Sequence, residues 1–350
     1  MGFLLVSNSL SDRGDSVALF ELAKALRKLG IGSSLCYEGG NTENSPARIA
    51  EIISQGFRVV DCHDRLDVAA EAKRANASHV VVFSDGTPKG IFYARSGESH
   101  RINECTHITW VVFRKFEPHG DYYLFVSRWL YVSQLPSVIR WWVKRAFSLR
   151  QVAKISYAPH FFEVGEGDRN QFRSDHRIPL SAKVVGRIGG ESQFDDPAAR
   201  DAVRELLSTR PDIWFVFAST EHFVHHERAI FLKRLSRREL WSFYRACDVL
   251  INGRRMGESF GLGVFEALRM GKPIIGPHRK RNPRMDKNHV ATLRFQNLLY
   301  RDQHDLVRKI SQHLSRRVTS RSLQRRASQS DPAFGVRRFL REVNYQIPKP

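Results

Sequence analysis

Two glutamates, Glu258 and Glu266, bracket a glycine-punctuated turn in the stretch MGESFGLGVFEALRMGKPIIG, residues 256–276, which runs directly into an apolar helix. A carboxylate accepts paired hydrogen bonds from vicinal hydroxyls, so one glutamate suits a ribose diol and the other a sugar ring. Gly257, Gly261 and Gly263 permit close approach of backbone to a ligand. Free amides at the start of the helix, around Phe260 to Gly263, attract an anion such as a diphosphate. Taken alone, Glu258 reads more readily as a capping acid and Glu266 as a solvated helix residue, so the surroundings decide.

Those surroundings are an alternation of strands and helices. FLLVS (3–7) is a buried strand, and SVALFELAKALRKLG (16–30) an amphipathic helix with Ser16 as N-cap and Gly30 as its stop. Further short apolar runs alternate with helices, which predicts a parallel sheet covered on both faces. Past residue 128 an aromatic and basic segment, interrupted by Pro136, reads as the connection between domains. A second alternation follows from AKVVGRIGG onward, with VLI (249–251) leading into the glutamate turn. The expected architecture is α/β, with two Rossmann-like doubly wound domains facing a central cleft. Residues 1–150 form the N-terminal domain, 151–333 the C-terminal one, and 334–350 a helix packing back on the N-terminal domain.

Composition narrows the partners. A chain of 350 residues with 42% hydrophobic content can bury two cores. Cys36, Cys62, Cys105 and Cys247 lie far apart with no C-x-x-C pair, so they read as reduced core thiols. The N-terminal apolar run is too short for a signal peptide and no long uncharged apolar stretch exists, which predicts a cytoplasmic protein. The net charge of +20 implies a polyanionic partner: nucleic acid, an anionic membrane surface or a phosphorylated small molecule. No nucleic-acid module is present, so specific nucleic-acid binding is not expected. WLYVSQLPSVIRWWVKRAF joins Trp129, Tyr131, Trp141 and Trp142 to Arg140, Lys144 and Arg145, a mixture that suits peripheral contact with an anionic membrane and, equally, an interdomain packing surface.

The pattern Glu-Ser-Phe-Gly-Leu, Glu266-Ala267-Leu268, Gly271-Lys272-Pro273 resembles the E-x(7)-E signature of family 4 glycosyltransferases, which have the GT-B fold. KVVGRIGG resembles that family's first C-domain strand with its phosphate-contacting arginine, and ELWSFYRACDVLI the helix and strand before the glutamates. NSLSDRGDSVALFELAKAL and EPHGDYYLFVSRWL resemble its N-terminal glycine loop and the segment leading to the hinge; a bacterial and large-virus subset carries R-G-x-S-V-A and E-P-H-G-D segments. The likeness spans roughly residues 3–315.

That resemblance implies a transferase moving a sugar from a nucleoside diphosphate donor to a hydroxyl of a glycan or lipid-linked glycan, with retention at the anomeric carbon. It implies Glu266 on the ribose hydroxyls and Glu258 on the donor sugar. Main-chain donors at Phe260, Gly261 and Leu262, with Gly189 near Arg187, serve the phosphates, and Arg187 neutralises the leaving diphosphate. Gly14 lets the N-terminal loop approach the same phosphates. Gln193 stands near where the family has a lysine, and Arg254 is the candidate for that second positive charge. Asn252 replaces a histidine of the subset, Trp110 falls near a pocket histidine, and His119, beside Asp121, is the remaining N-domain histidine, reading equally as a structural turn. No cofactor and no metal are required: Asp195 and Asp196 fit a helix cap, and the adjacent His225 and His226 point apart. A GT-B epimerase shares the donor contacts and is the alternative; a basic nucleic-acid-binding protein is a weaker one.

Overall fold

We describe a computed structural model that covers residues 2–11, 14–88, 102, 104–145, 153–278, 286–294, 297–315 and 320–347, without the side chains of Lys144 and Arg145. Arg13 of the R-G-x-S-V-A segment and residues 316–319 of the arginine-rich connector lie outside the described residues. The chain divides into two compact units, residues 1–163 with 329–350, and residues 164–328.

In the first unit the chain runs β1 (Gly2–Ser7), α1 (Gly14–Lys28), β2 (Ser33–Glu38), α2 (Pro46–Ser54), β3 (Arg58–Cys62), α3 (Arg65–Arg74), β4 (Ala77–Ser84), β5 (Thr106–Val111), β6 (Tyr122–Phe125), α4 (Arg128–Arg145) and β7 (Lys154–Tyr157). The second unit holds α5 (Arg169–Asp175), β8 (Lys183–Ile188), α6 (Pro197–Thr209), β9 (Ile213–Ala218), β10 (Ala229–Leu232), α7 (Arg237–Ala246), β11 (Val249–Ile251), β12 (Gly257–Glu258), α8 (Leu262–Arg269), β13 (Ile274–Pro277), β14 (Asp286–Lys287), α9 (Asn288–Leu293), β15 (Leu299–Tyr300), α10 (Gln303–Ser315) and α11 (Ser320–Arg326). The chain then returns to the first unit as α12 (Pro332–Glu342).

The first sheet has the order β3-β2-β1-β4-β5-β6-β7 and the second β10-β9-β8-β11-β13-β15, all pairs parallel. Both orders step outward from one strand, reverse, and continue on its other side. That reversal opens a crevice outside the carboxyl ends of the two strands flanking it, where doubly wound sheets take ligands. In the second unit those strands are β8 and β11.

Continuous apolar strands are what a sheet buried on both faces demands, and all six residues of β1 are buried. Cys36, Cys62, Cys105 and Cys247 are all buried free thiols. Helix α12 adds Phe339, fully buried and stacked on Trp110 at 4.9 Å, to the first core; burying one such ring stabilises by about 1.5–3 kcal/mol. Gly335 allows this approach, because a Cβ there would lie 2.4 Å from the Phe161 ring.

Three local expectations are corrected. Helix α1 begins at Gly14, so Ser16 lies inside its first turn; the Ser16 hydroxyl donates to the Ser9 carbonyl at 2.9 Å and accepts from the Ser11 amide, holding the preceding loop. The segment after residue 128 is a helix of the first unit, with Leu130 fully buried, and β7 after it pairs with β6. The units therefore divide at Glu163, beyond the boundary expected at 150.

Candidate active site

The glutamate turn begins one loop beyond β11. Gly257 adopts a φ of +67°, and a Cβ on it would stand 2.0 Å from the Asp286 carbonyl oxygen. Only a glycine lets β12 pair with β14 here, an arrangement completed by the Asp286 amide donating to the Met256 carbonyl at 2.8 Å. Gly257→Ala is expected to destabilise the protein by about 1–3 kcal/mol, read as a lowered midpoint in thermal unfolding.

Gly261, with a φ of +84°, precedes the first turn of α8, and a Cβ there would press on the Glu258 Cβ at 2.9 Å. Its carbonyl accepts from the Val264 and Phe265 amides. The amides of Leu262 and Gly263, at the start of the helix, have no carbonyl one turn earlier to bond, which leaves positive dipole ends at this point. Phe260 is buried, stacked on Phe265 at 4.6 Å, and its carbonyl accepts from Asn288 Nδ2 at 2.8 Å. Gly263 lies against the end of β8, where a Cβ would be 3.5 Å from Ile188 and 3.6 Å from the Tyr244 hydroxyl.

Both oxygens of Glu258 are engaged: Asn252 Nδ2 donates at 3.3 Å and Arg254 Nη1 at 2.9 Å. Asn252 also accepts from the Arg254 amide at 3.1 Å, so one asparagine shapes the loop and aims the carboxylate. Burial pushes the Glu258 carboxyl above its ordinary value of 4.5, against the opposing pull of Arg254 and then Arg187. In the window above 4.5 the folded protein binds more protons at this group than the unfolded chain, so stability contributed here is lost as pH rises through the folded value. Glu258→Gln is expected to flatten that part of a plot of melting temperature against pH; an unchanged slope contradicts it.

Glu266 is buried on the second turn of α8. Arg237 Nη1 donates to one oxygen at 2.5 Å and the Tyr244 hydroxyl to the other at 2.8 Å. The two donors lie seven residues apart on α7 and therefore share a face of that helix. Burial, followed by the Glu266 charge, holds the Tyr244 phenol well above its ordinary value, so it remains a donor. Each carboxylate oxygen has a second acceptor direction, so Glu266 is oriented without being saturated.

Arg187, near the end of β8, is buried; its Nη1 donates to the Ser219 carbonyl at 2.8 Å and Thr220 Oγ1 at 2.5 Å, and its Nη2 to the Gly190 carbonyl at 2.9 Å. Burial lowers its pKa to about 10, with Glu258 opposing, so it stays cationic at neutral pH. A Cβ at Gly189 would be 2.7 Å from Arg187 Nη2, which makes Gly189 the space for the guanidinium. Gln193 turns back to accept from the Gly190 amide at 3.2 Å, and Arg254 is paired with Glu258.

Arg187, Gly189, Arg254, Glu258, Phe260, Gly261, Leu262 and Glu266 thus lie in one unit, around the carboxyl ends of β8 and β11. Gly14 and His119 lie in the other. Gly14 is the exposed first residue of α1, beyond the carboxyl end of β1. His119 is buried beside the amino ends of β5 and β6: its Nδ1 meets the Glu117 carbonyl at 2.6 Å, its ring lies 6.1 Å from that of His107, and Asp121 accepts from the His107 amide. That is the end of the sheet away from the ligand crevice. His119 therefore serves a turn, and Trp110, fully buried and donating to the Ala158 carbonyl at 2.8 Å, serves the core. Asp196 caps α6, and among the described residues no three His, Cys, Asp or Glu side chains gather as a metal cluster. Arg237 and Tyr244 escaped the sequence reading; their signal is the seven-residue spacing in RRELWSFYRACD.

Residues 203–330 match the family model for glycosyl transferases group 1. No curated protein matches the chain. Among solved structures it resembles a glycosyltransferase from Rickettsia africae ESF-5, with a TM-score of 0.65, 13% identity and 98% of each chain covered. It also resembles Anabaena HepE in complex with UDP-glucose, with a TM-score of 0.66, 12% identity and coverage of 98% of this chain and 100% of that one. A putative UDP-N-acetylglucosamine 2-epimerase from Listeria monocytogenes superposes with a TM-score of 0.58 and 12% identity, covering 100% of this chain and 99% of that one. The fold is GT-B, and the family match supports a glycosyltransferase.

Proposed function

We propose that the protein is a family 4-like, retaining glycosyltransferase that uses a nucleoside diphosphate sugar and carries the sugar to a hydroxyl of a glycan or lipid-linked glycan. The observation that carries this reading is the meeting, at one strand-end crevice, of two oriented carboxylates, the amide end of α8 and a buried cationic arginine. Glu266, held by Arg237 and Tyr244, accepts the ribose hydroxyls through its unused acceptor directions. Glu258 accepts from a hydroxyl of the donor sugar. The diphosphate lies at the amides of Gly261 and Leu262, with Arg187 as its main counter-charge.

The bond from the anomeric carbon to the phosphate oxygen breaks as the acceptor oxygen arrives on the same face. The acceptor proton passes to the departing phosphate oxygen, which leaves with the electron pair of the broken bond. Negative charge grows on the leaving diphosphate as this happens, and preorganised donors placed there lower the barrier. The cationic role in this scheme belongs to Arg187 and the helix N-terminus.

Thermal shift against UDP, GDP, ADP and dTDP sugars tests the donor assignment. A ligand at 100 times its dissociation constant adds about 2.7 kcal/mol to apparent stability. No shift with any of the four overturns it. With the bound donor, release of nucleoside diphosphate only when an acceptor product forms identifies transfer, whereas a donor altered at one sugar carbon identifies epimerisation.

A further inference from the structure

The peptide joining Phe260 to Gly261 is held from one side. Its carbonyl oxygen accepts from Asn288 Nδ2 at 2.8 Å, a bond between segments 28 residues apart, while among the described residues its amide, on Gly261, donates to no protein acceptor. No peptide bond among the described residues is cis, and in a trans unit the carbonyl and the amide hydrogen point in opposite directions. Holding the oxygen on the Asn288 side therefore aims the Gly261 N–H the other way. Gly261 is left-handed, with a φ of +84° and a ψ of +68°, and Leu262 after it is helical. A left-handed residue followed by a right-handed one turns successive amides toward one concavity, a nest that takes an anion. The Gly261 N–H is the first of those amides.

Glycine makes this amide the one that needs holding. A glycine adopts either sign of φ at little cost, so the unit before Gly261 turns over readily, and the reversed unit presents an oxygen where a phosphate oxygen would lie. Asn288 opposes that reversal. It is buried, and only the nitrogen of its side-chain amide can bond a carbonyl, so turning the Phe260 oxygen away strands a buried donor. An asparagine at a helix start commonly bonds a neighbouring amide, yet α9 begins without a side-chain cap, and Asn288 reaches to the glutamate turn instead. Its neighbours fix it there. Asp286 and Lys287 pair with Gly257 and Glu258, and the fully buried His289 meets the Pro277 carbonyl through Nε2 at 3.0 Å, with its ring against Gly257. On the donor reading proposed above, we infer that Asn288 is a positioning residue, which sets the Gly261 amide for the phosphates of a nucleoside diphosphate without touching them.

The test compares, for the full chain and its variants, calorimetric titration of UDP, GDP, ADP and dTDP with binding of the corresponding nucleosides read by ligand-observed NMR. Asn288→Ala is expected to weaken the diphosphate that the parent binds best by roughly tenfold, the order of one hydrogen bond to a charged group, and to leave its nucleoside within a small factor. Asn288→Asp, of the same shape but with no donor when ionised, is expected to lose at least as much. Asn288→Ser, shorter and still a donor, serves where the other two unfold, and is expected to show the same selective loss to a smaller degree. Each variant is measured well below its melting temperature. Unchanged diphosphate affinity in the variants overturns the role of Asn288 and leaves the donor site standing. Equal loss for nucleoside and diphosphate reduces Asn288 to a structural contact and overturns the role as well. A parent that binds none of the four diphosphates overturns the donor reading and this role together.

Discussion

Replacing Arg187 with alanine is expected to lower kcat by a factor on the order of 10²–10³, the usual consequence of deleting one preorganised group that meets developing charge. The donor KM should change much less, because the charge that Arg187 opposes grows only as the bond to the leaving group breaks. The same substitution leaves the Ser219 and Gly190 carbonyls without their guanidinium donor, at a cost of roughly 1–3 kcal/mol for each that stays dry. A fall in melting temperature should therefore accompany the fall in rate. Assays well below that temperature separate the two, and Arg187→Lys, which keeps a charge but not the planar fork, should recover only part of the activity. Transfer at the parental rate by the alanine variant contradicts the assignment.

Glu266→Ala is expected to weaken nucleoside diphosphate binding by about tenfold to a hundredfold, because a hydrogen bond to a charged group contributes about 1.5–3 kcal/mol. Calorimetric titration reads this directly. Tyr244→Phe keeps the carboxylate and Arg237 but frees one oxygen from its phenolic donor, so it should weaken binding less than Glu266→Ala. Affinity unchanged in the alanine variant contradicts the ribose role.

Much of this was readable before any coordinates. The apolar runs, the glycines at 257 and 261 and the alternation of periods reported two parallel sheets, because a strand buried on both faces must be apolar throughout and a backbone with positive φ favours glycine. Asp196 read correctly as a helix cap, since its neighbour Pro197 fits the first helical position. What stayed hidden depends on long-range contacts. Arg237 and Tyr244 gain meaning only when α7 is laid beside α8, and the pairing of Arg254 with the half-buried Glu258 four residues away stayed hidden as well. His119 misled because a histidine next to an aspartate looks like chemistry, whereas the fold carries it down the loop to the amino ends of β5 and β6. The end of the first unit was misjudged for a related reason: β7 is short and only partly buried, and its pairing with β6 is invisible in a stretch of four residues.

A crystal structure with the nucleoside diphosphate that gives the largest thermal shift shows whether the crevice beside α8 takes the donor. Ribose hydroxyls are expected on the Glu266 carboxylate, still held by Arg237 and Tyr244, and phosphate oxygens at the Gly261 and Leu262 amides near Arg187. A nucleotide bound elsewhere, with Glu266 bonded only to Arg237 and Tyr244, would contradict it.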